Sequence, residues 1–211
     1  METKFTEQES LAVISQMVEQ ARNNLRKGGG TGMIVAGFLV AFTAILNIVL
    51  AVIFAKNGMN ANLSTWAWCL MIPGSCIILL MGKRDDRRSI VKTHIDSIIG
   101  STWKGYLYAV IVVLTVIFSI GFSQKAHGVF FLINPVILIL VGQAEYTTAK
   151  ACRFKPYLYG AISMWLGALA CAGAMWLKNP VLIQFFILAV CMIVGFVIPG
   201  YQLNKLANKD V

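Results

Sequence analysis

From about residue 33 the chain alternates between apolar runs of membrane-crossing length and short polar connectors. Six runs stand out: Met33 to Phe54, Leu63 to Gly82, Gly105 to Phe122, Val129 to Thr148, Pro156 to Leu177 and Val181 to Gly200. Each is long enough as a helix to cross ~30 Å of hydrocarbon at about 1.5 Å per residue. The fourth is the weakest, because its unbroken apolar core from Val129 to Gly142 contains Asn134-Pro135; five spans, or a re-entrant fourth segment, are the alternative. The pattern predicts an all-α polytopic membrane protein with six transmembrane helices in three hairpins, residues 33–200. Each returning helix carries a proline, at Pro73, Pro135 and Pro199, read as kinks in a faint three-hairpin pattern.

Ahead of the spans the periodicity changes. Leu11, Ile14, Val18, Ala21 and Leu25 recur at spacings of three and four, which draws one apolar stripe along a helix from about Glu7 to Lys27. Thr6 and Glu9 form a capping box, Glu7 and Glu9 suit the helix N-terminus, and Arg22, Arg26 and Lys27 suit its C-terminus. Gly28, Gly29, Gly30 and Gly32 read as a hinge that separates this helix, residues 1–32, from the first span. The stripe must be buried in the membrane interface, on the ends of the spans, or against another copy or partner through Leu11, Ile14, Val18 and Leu25. A second cytoplasmic amphipathic helix is expected over 83–104, opening with the basic cluster Lys83-Arg84-Asp85-Asp86-Arg87-Arg88. Residues 201–211 form a tail.

Composition removes the soluble alternatives. Of 211 residues 58% are hydrophobic and only 13% charged, too few polar groups to cover a water-soluble globule. Charge then orients the spans. Fifteen of the eighteen Lys and Arg fall on one side of the six-span layout, and only Lys56, Lys125 and Lys178 fall opposite. Short cytoplasmic loops carry the positive excess, so both termini are expected in the cytoplasm. Residues 1–32 hold no apolar run of leader length, and no cleaved leader is expected. The net charge of +9 is a topology signal with an affinity for anionic lipid head groups, and gives no reason to expect nucleic acid.

The residues for common catalytic chemistries are missing. His94 and His127, the only histidines, are expected on opposite faces of the membrane, so no shared metal or proton relay is expected. Cys69, Cys76, Cys152, Cys171 and Cys191 form no Cys-x-x-Cys pair and read as small packing residues. Phosphate-loop, zinc-protease and serine-hydrolase motifs are absent, and neither catalytic residues nor a cofactor are expected. The spans offer uncharged groups: Thr43, Asn47, Ser75, Thr115, Ser119, Asn134, Ser163 and Gln184, each read first as a partner in helix packing. The candidate polar site in the bundle is Asn47, Asn134 and Gln184 converging near Pro135. Glu145, the only carboxylate near a span end, is added to it but reads as interfacial.

Packing signals are clearer. The fifth span holds Gly160, Ala161, Ser163, Gly167, Ala168, Ala170, Ala172, Gly173 and Ala174, a composition that lets helix backbones approach closely and marks a central helix. Trp66, Trp68 and Trp176 near one boundary, with Trp103, Tyr106, Tyr157 and Tyr201 near the other, read as aromatic belts. The opening Thr-Glu-Gln-Glu-Ser-Leu, the Ala-Arg-Asn-Asn segment and the closing Ile-Pro-Gly-Tyr-x-Leu-Asn-Lys resemble small polytopic membrane proteins of unassigned function from Bacteroidetes-type bacteria. That resemblance implies a bacterial inner membrane and carries over no site residue. The favoured reading is a non-enzymatic membrane subunit or regulatory module acting through its cytoplasmic helices. A small-solute or lipid transporter or channel, and then a membrane enzyme on lipid substrates, are the alternatives.

Overall fold

The computed structural model describes residues 29–88, 94–123 and 126–207, and among them every regular element is helical. The front helix with its stripe at Leu11, Ile14, Val18 and Leu25, and the last four residues of the tail, lie outside the described residues. The elements are α1 (Gly29–Lys56), a 3-10 segment (Ala61–Leu70) leading into α2 (Met71–Arg88), and α3 (His94–Ser123). A second 3-10 segment (His127–Leu132) leads into α4 (Ile133–Cys152), and α5 (Lys155–Ala174) follows. The last span is α6 (Pro180–Met192), a π-helical turn (Ile193–Val197) and α7 (Ile198–Ala207). Six helical stretches are long and apolar enough to cross a membrane: Gly30–Lys56, Ala61–Gly82, Ser97–Ser123, His127–Cys152, Lys155–Ala174 and Pro180–Leu206. The fourth counts among them at full length.

The prolines act at helix junctions. Each returning span changes geometry just before its proline: Pro73 and Pro135 follow the two 3-10 segments, and Pro199 follows the π turn. A proline has no N–H for the carbonyl four residues earlier, and its ring crowds that carbonyl, so the preceding turn leaves the α-helical hydrogen-bond pattern. The carbonyls so deprived are those of Cys69, Phe131 and Gly195.

Two expectations for the connectors change. The glycine run is not a hinge throughout, because Gly29, Gly30 and Gly32 already belong to α1 and the first span starts four residues before the expected boundary at 33. Within this helix Gly30 must be small: a Cβ there would meet the Gly200 carbonyl and the Asn204 side chain of α7. Nor does 83–104 form one separate helix. Its beginning extends α2 to Arg88, and its end is the first part of α3 from His94.

Side by side, the spans pack in the order α3, α4, α5, last span, α1, α2. The broadest contact joins α4 to α5, α1 lies along α6, the π turn and α7, and α2 and α3 flank the row on α1 and α4 respectively. The core therefore sits where α4, α5, the last span and α1 meet, around Ala44, Leu138, Met164, Cys171, Leu188 and Phe196. α5 is central as expected, presenting the buried stripe Tyr157, Gly160, Ala161, Met164, Gly167, Ala168, Cys171 and Ala174. Some aromatic residues turn inward instead of forming belts. Tyr157 is buried, and Trp103 sits edge-on to Phe196 at 5.8 Å, whereas Trp66, Trp176 and Tyr201 are exposed. The cysteines divide likewise: Cys171 and Cys191 pack in the core, Cys69 and Cys76 face outward.

Candidate functional site

The polar residues of the spans resolve into separate contacts. Asn47 of α1 donates from Nδ2 to the Ser64 carbonyl at 3.1 Å, and its Oδ1 accepts from the Ser64 hydroxyl at 3.4 Å. Gln184 of α6 donates from Nε2 to the Cys171 carbonyl of α5 at 3.0 Å. Asn134 is buried in the first turn of α4. Among the described residues no hydrogen bond joins Asn47, Asn134 and Gln184 directly to one another, and Asn47 and Gln184 each bond to a backbone carbonyl of a neighbouring helical segment. Thr43, Thr115 and Thr148 bond back to carbonyls one turn earlier at 2.8 Å.

Glu145, expected near a span end, is enclosed by the protein: its relative exposure is 0%, and it is the only charged side chain among the buried described residues. The reason lies in helix periodicity. Leu138, Val141, Gly142, Glu145, Thr148 and Ala149 recur at spacings of three, one, three, three and one, which puts Glu145 in the middle of the buried face of α4. The turn into α5 then closes over it. Arg153 takes the left-handed conformation (φ 52°) at the C-terminus of α4, the Phe154 N–H returns to the Ala149 carbonyl at 3.1 Å, and Pro156 suits the first turn of α5. A two-residue connection leaves α5 antiparallel against α4.

Two glycines form the wall opposite the carboxylate. A Cβ on Gly160 of α5 would stand 2.8 Å from the Gly195 carbonyl oxygen and 2.9 Å from Glu145 Oε2. A Cβ on Gly195, in the π turn, would stand 3.5 Å from the same Oε2 and 3.4 Å from Ser163 Oγ, and would run into Met164. The carboxylate, the Gly195 carbonyl and the Ser163 hydroxyl thus meet around the bare backbones of Gly160 and Gly195. Ser163 is already engaged, donating to the Gly160 carbonyl at 2.7 Å. Neither Glu145 Oε1 nor Oε2 has a hydrogen-bond partner.

Apolar layers close the site at both ends. Towards the α4–α5 turn, Ala149, Tyr157 and Leu203 form a small buried cluster with Met33, Phe154 and Leu158 packed around it. Ala149 and Tyr157 lie one helical turn beyond Glu145 and Gly160 respectively, about 5–6 Å along the axes. On the other side stand Val141, Met164 and Phe196 of the main core. An ionised carboxylate in such a place, without donor or counter-charge, is disfavoured by several kcal/mol, roughly 2.5 or more at membrane depth. The carboxylate therefore calls for a hydrogen-bond donor at Oε2.

Gly160, Gly195 and Ser163 surround the carboxylate, and the spacing of four between Gly195 and Pro199 is a sequence signal for Gly195 alone. Among the described residues no group of three metal-ligating side chains occurs. A scan against protein-family models and searches of curated proteins and solved structures found nothing that matches the chain.

Proposed function

We propose that the chain is a non-enzymatic subunit or regulatory module of a bacterial inner membrane, acting through its cytoplasmic helices on a protein partner or a second copy. One observation carries this reading. Two of the three amide side chains expected to form a polar site are spent pairwise on helix contacts, Asn47 with Ser64 and Gln184 with Cys171. The strongest unspent feature is then the stripe of Leu11, Ile14, Val18 and Leu25, whose burial needs an apolar surface. The charge distribution supports placing the stripe in the cytoplasm, beside anionic head groups. Reporters fused after Lys27, Lys92 and Lys209 should report cytoplasm, and one at Asn60 the outside.

The decisive test is native mass spectrometry of the protein released in native nanodiscs. A second protein or a second copy should be released with the chain and be lost from the Leu11→Asp, Val18→Asp double variant. Each anchor contributes about 1.5–3 kcal/mol of burial, so the pair amounts to a loss of about 100-fold or more in association. A monomer carrying a stoichiometric small solute would overturn the reading. That outcome would favour a small-solute or lipid transporter, for which the buried Glu145 within a candidate span is the supporting observation.

A further inference from the structure

The geometry points to Glu145 as a proton-binding site in which the protonated carboxyl donates to the Gly195 carbonyl and fastens α4 and α5 to the last span. Three independent features lead there. Both carboxylate oxygens are buried with no partner. The Gly195 carbonyl is the one whose α-helical donor Pro199 cannot supply, because Pro199 follows it by four residues and has no N–H. Both acceptors close on Gly160: a Cβ there would stand 2.8 Å from the Gly195 oxygen and 2.9 Å from Glu145 Oε2. Two acceptors brought to one point repel, and one proton on Glu145 would turn that repulsion into a hydrogen bond.

Close packing selects the ligand. Not even a Cβ fits at Gly160 without displacing the Gly195 oxygen or Glu145 Oε2, so the contact has no room for a hydrated cation or an organic ammonium. A proton needs none. When it leaves, the charge on Glu145 stands against the Gly195 oxygen in an apolar setting, and the contact between Gly160 and the π turn loosens. π turns recur at functional sites in helices, and this one spans five residues. The released proton passes to bulk water at the end of the bundle where Lys150, Arg153, Lys155 and Lys205 are exposed, once the Ala149–Tyr157–Leu203 cluster yields.

Few other groups could answer to pH here. Tyr157 faces the site from α5, Cys152 lies two turns along α4, Cys191 of α6 bonds to the Ser163 carbonyl at 3.6 Å, and Tyr106 lies beside Trp103 on α3. α1 presents Gly37 to Phe196, Val197 and Met192, and its titratable side chain among the described residues, Lys56, stands in its last turn. The site is independent of the cytoplasmic docking proposed above, and its tests alter no residue of the front helix.

Hydrogen exchange of the full-length protein in nanodiscs, corrected for intrinsic rates, reads the lock directly. In the wild type, protection of the amides between 193 and 200 should fall as pH is raised, by up to about tenfold per pH unit, the dependence of a single proton. Glu145→Gln keeps a donor for the Gly195 carbonyl and cannot ionise, so its protection should stay high and flat. Tyr157→Phe should retain the wild-type response. Equal pH dependence in the wild type and Glu145→Gln, or a flat response in Tyr157→Phe, overturns the assignment. If Glu145→Gln fails to fold, infrared spectra of the wild type decide. Labelling with 13C-glutamate should shift one protonated-carboxyl C=O band that vanishes on alkalinisation, and the lack of any such band overturns the proposal.

Discussion

α5 and α3 are both apolar helices of membrane-crossing length, yet 44% of the span window of α5 is buried inside the protein against 11% for α3. Their side chains account for the difference. α5 turns Gly160, Ala161, Gly167, Ala168, Cys171 and Ala174 inward, while α3 presents Leu107, Ile111, Val112, Phe118 and Phe122 outward. In lipid, bulky apolar residues gain nothing by leaving the solvent, since acyl chains solvate them as well as other side chains do. Close approach of backbones, with the dispersion and polar contacts it allows, decides which helices become central. Hydropathy alone therefore finds spans and says nothing about their place in the bundle.

The contrast is broken most severely at the glycines of α5. Gly160→Leu should damage the bundle most, because even its Cβ would press on the Gly195 backbone, which cannot move aside as a side chain can. A loss of about 3 kcal/mol or more is expected, seen as thermal aggregation in detergent at much lower temperature. Gly167→Leu follows at about 1–3 kcal/mol, since there the obstacle is the Cys191 side chain. Its control is Leu169→Ala on the exposed face of the same helix, where little change is expected. Unchanged aggregation for Gly167→Leu would make α5 a lipid-facing helix.

The polar contacts come next in size. Gln184→Leu removes the donor to the Cys171 carbonyl and should lower stability by about 0.6–2 kcal/mol, the range of interhelical hydrogen bonds in membranes. Asn47→Leu should behave alike through Ser64. The two losses should add within about 0.5 kcal/mol, because no described hydrogen bond links the two sites. A strongly non-additive double variant would show that the polar groups act together after all, as a solute path requires.

How much of the fold and the site is legible in the sequence depends on the length scale of the signal. Span ends differ from their expected positions by a few residues, up to eight at the start of the third, because a run of about twenty apolar residues averages over local accidents. The central place of α5 is legible too, in its small residues. Glu145 is misplaced when the fourth span is measured by the length of its apolar run and not by its faces. Read by face, Leu138, Val141, Gly142 and Ala149 already put Glu145 inside. The glycine wall is out of reach, because Gly160 and Gly195 are thirty-five residues apart and meet only through the packing of α5 against the π turn. Prolines in a span read as kinks, whereas their consequence in this fold is a change of hydrogen-bond pattern in the turn before them.

The smallest effect tests the rule behind the comparison. Leu80 lies on α2, is 66% exposed, and belongs to a flanking span that packs on α1. In water, truncating a leucine on a protein surface changes little, and in a core it removes roughly 2–5 kcal/mol. In a bilayer the exposed leucine faces acyl chains that solvate alanine almost as well, so Leu80→Ala should change stability by no more than about 0.5 kcal/mol. Reversible unfolding in mixed micelles measures this with the purified chain, where lipid-like solvent is the sole neighbour of that face. The same variant in native membranes separates lipid from protein as the natural neighbour. If stability in native membranes falls by about 2 kcal/mol or more, the cost of truncating a leucine in a core, while the micelle value stays flat, α2 is covered by another protein there, and exposure on the flank of the row marks an interface.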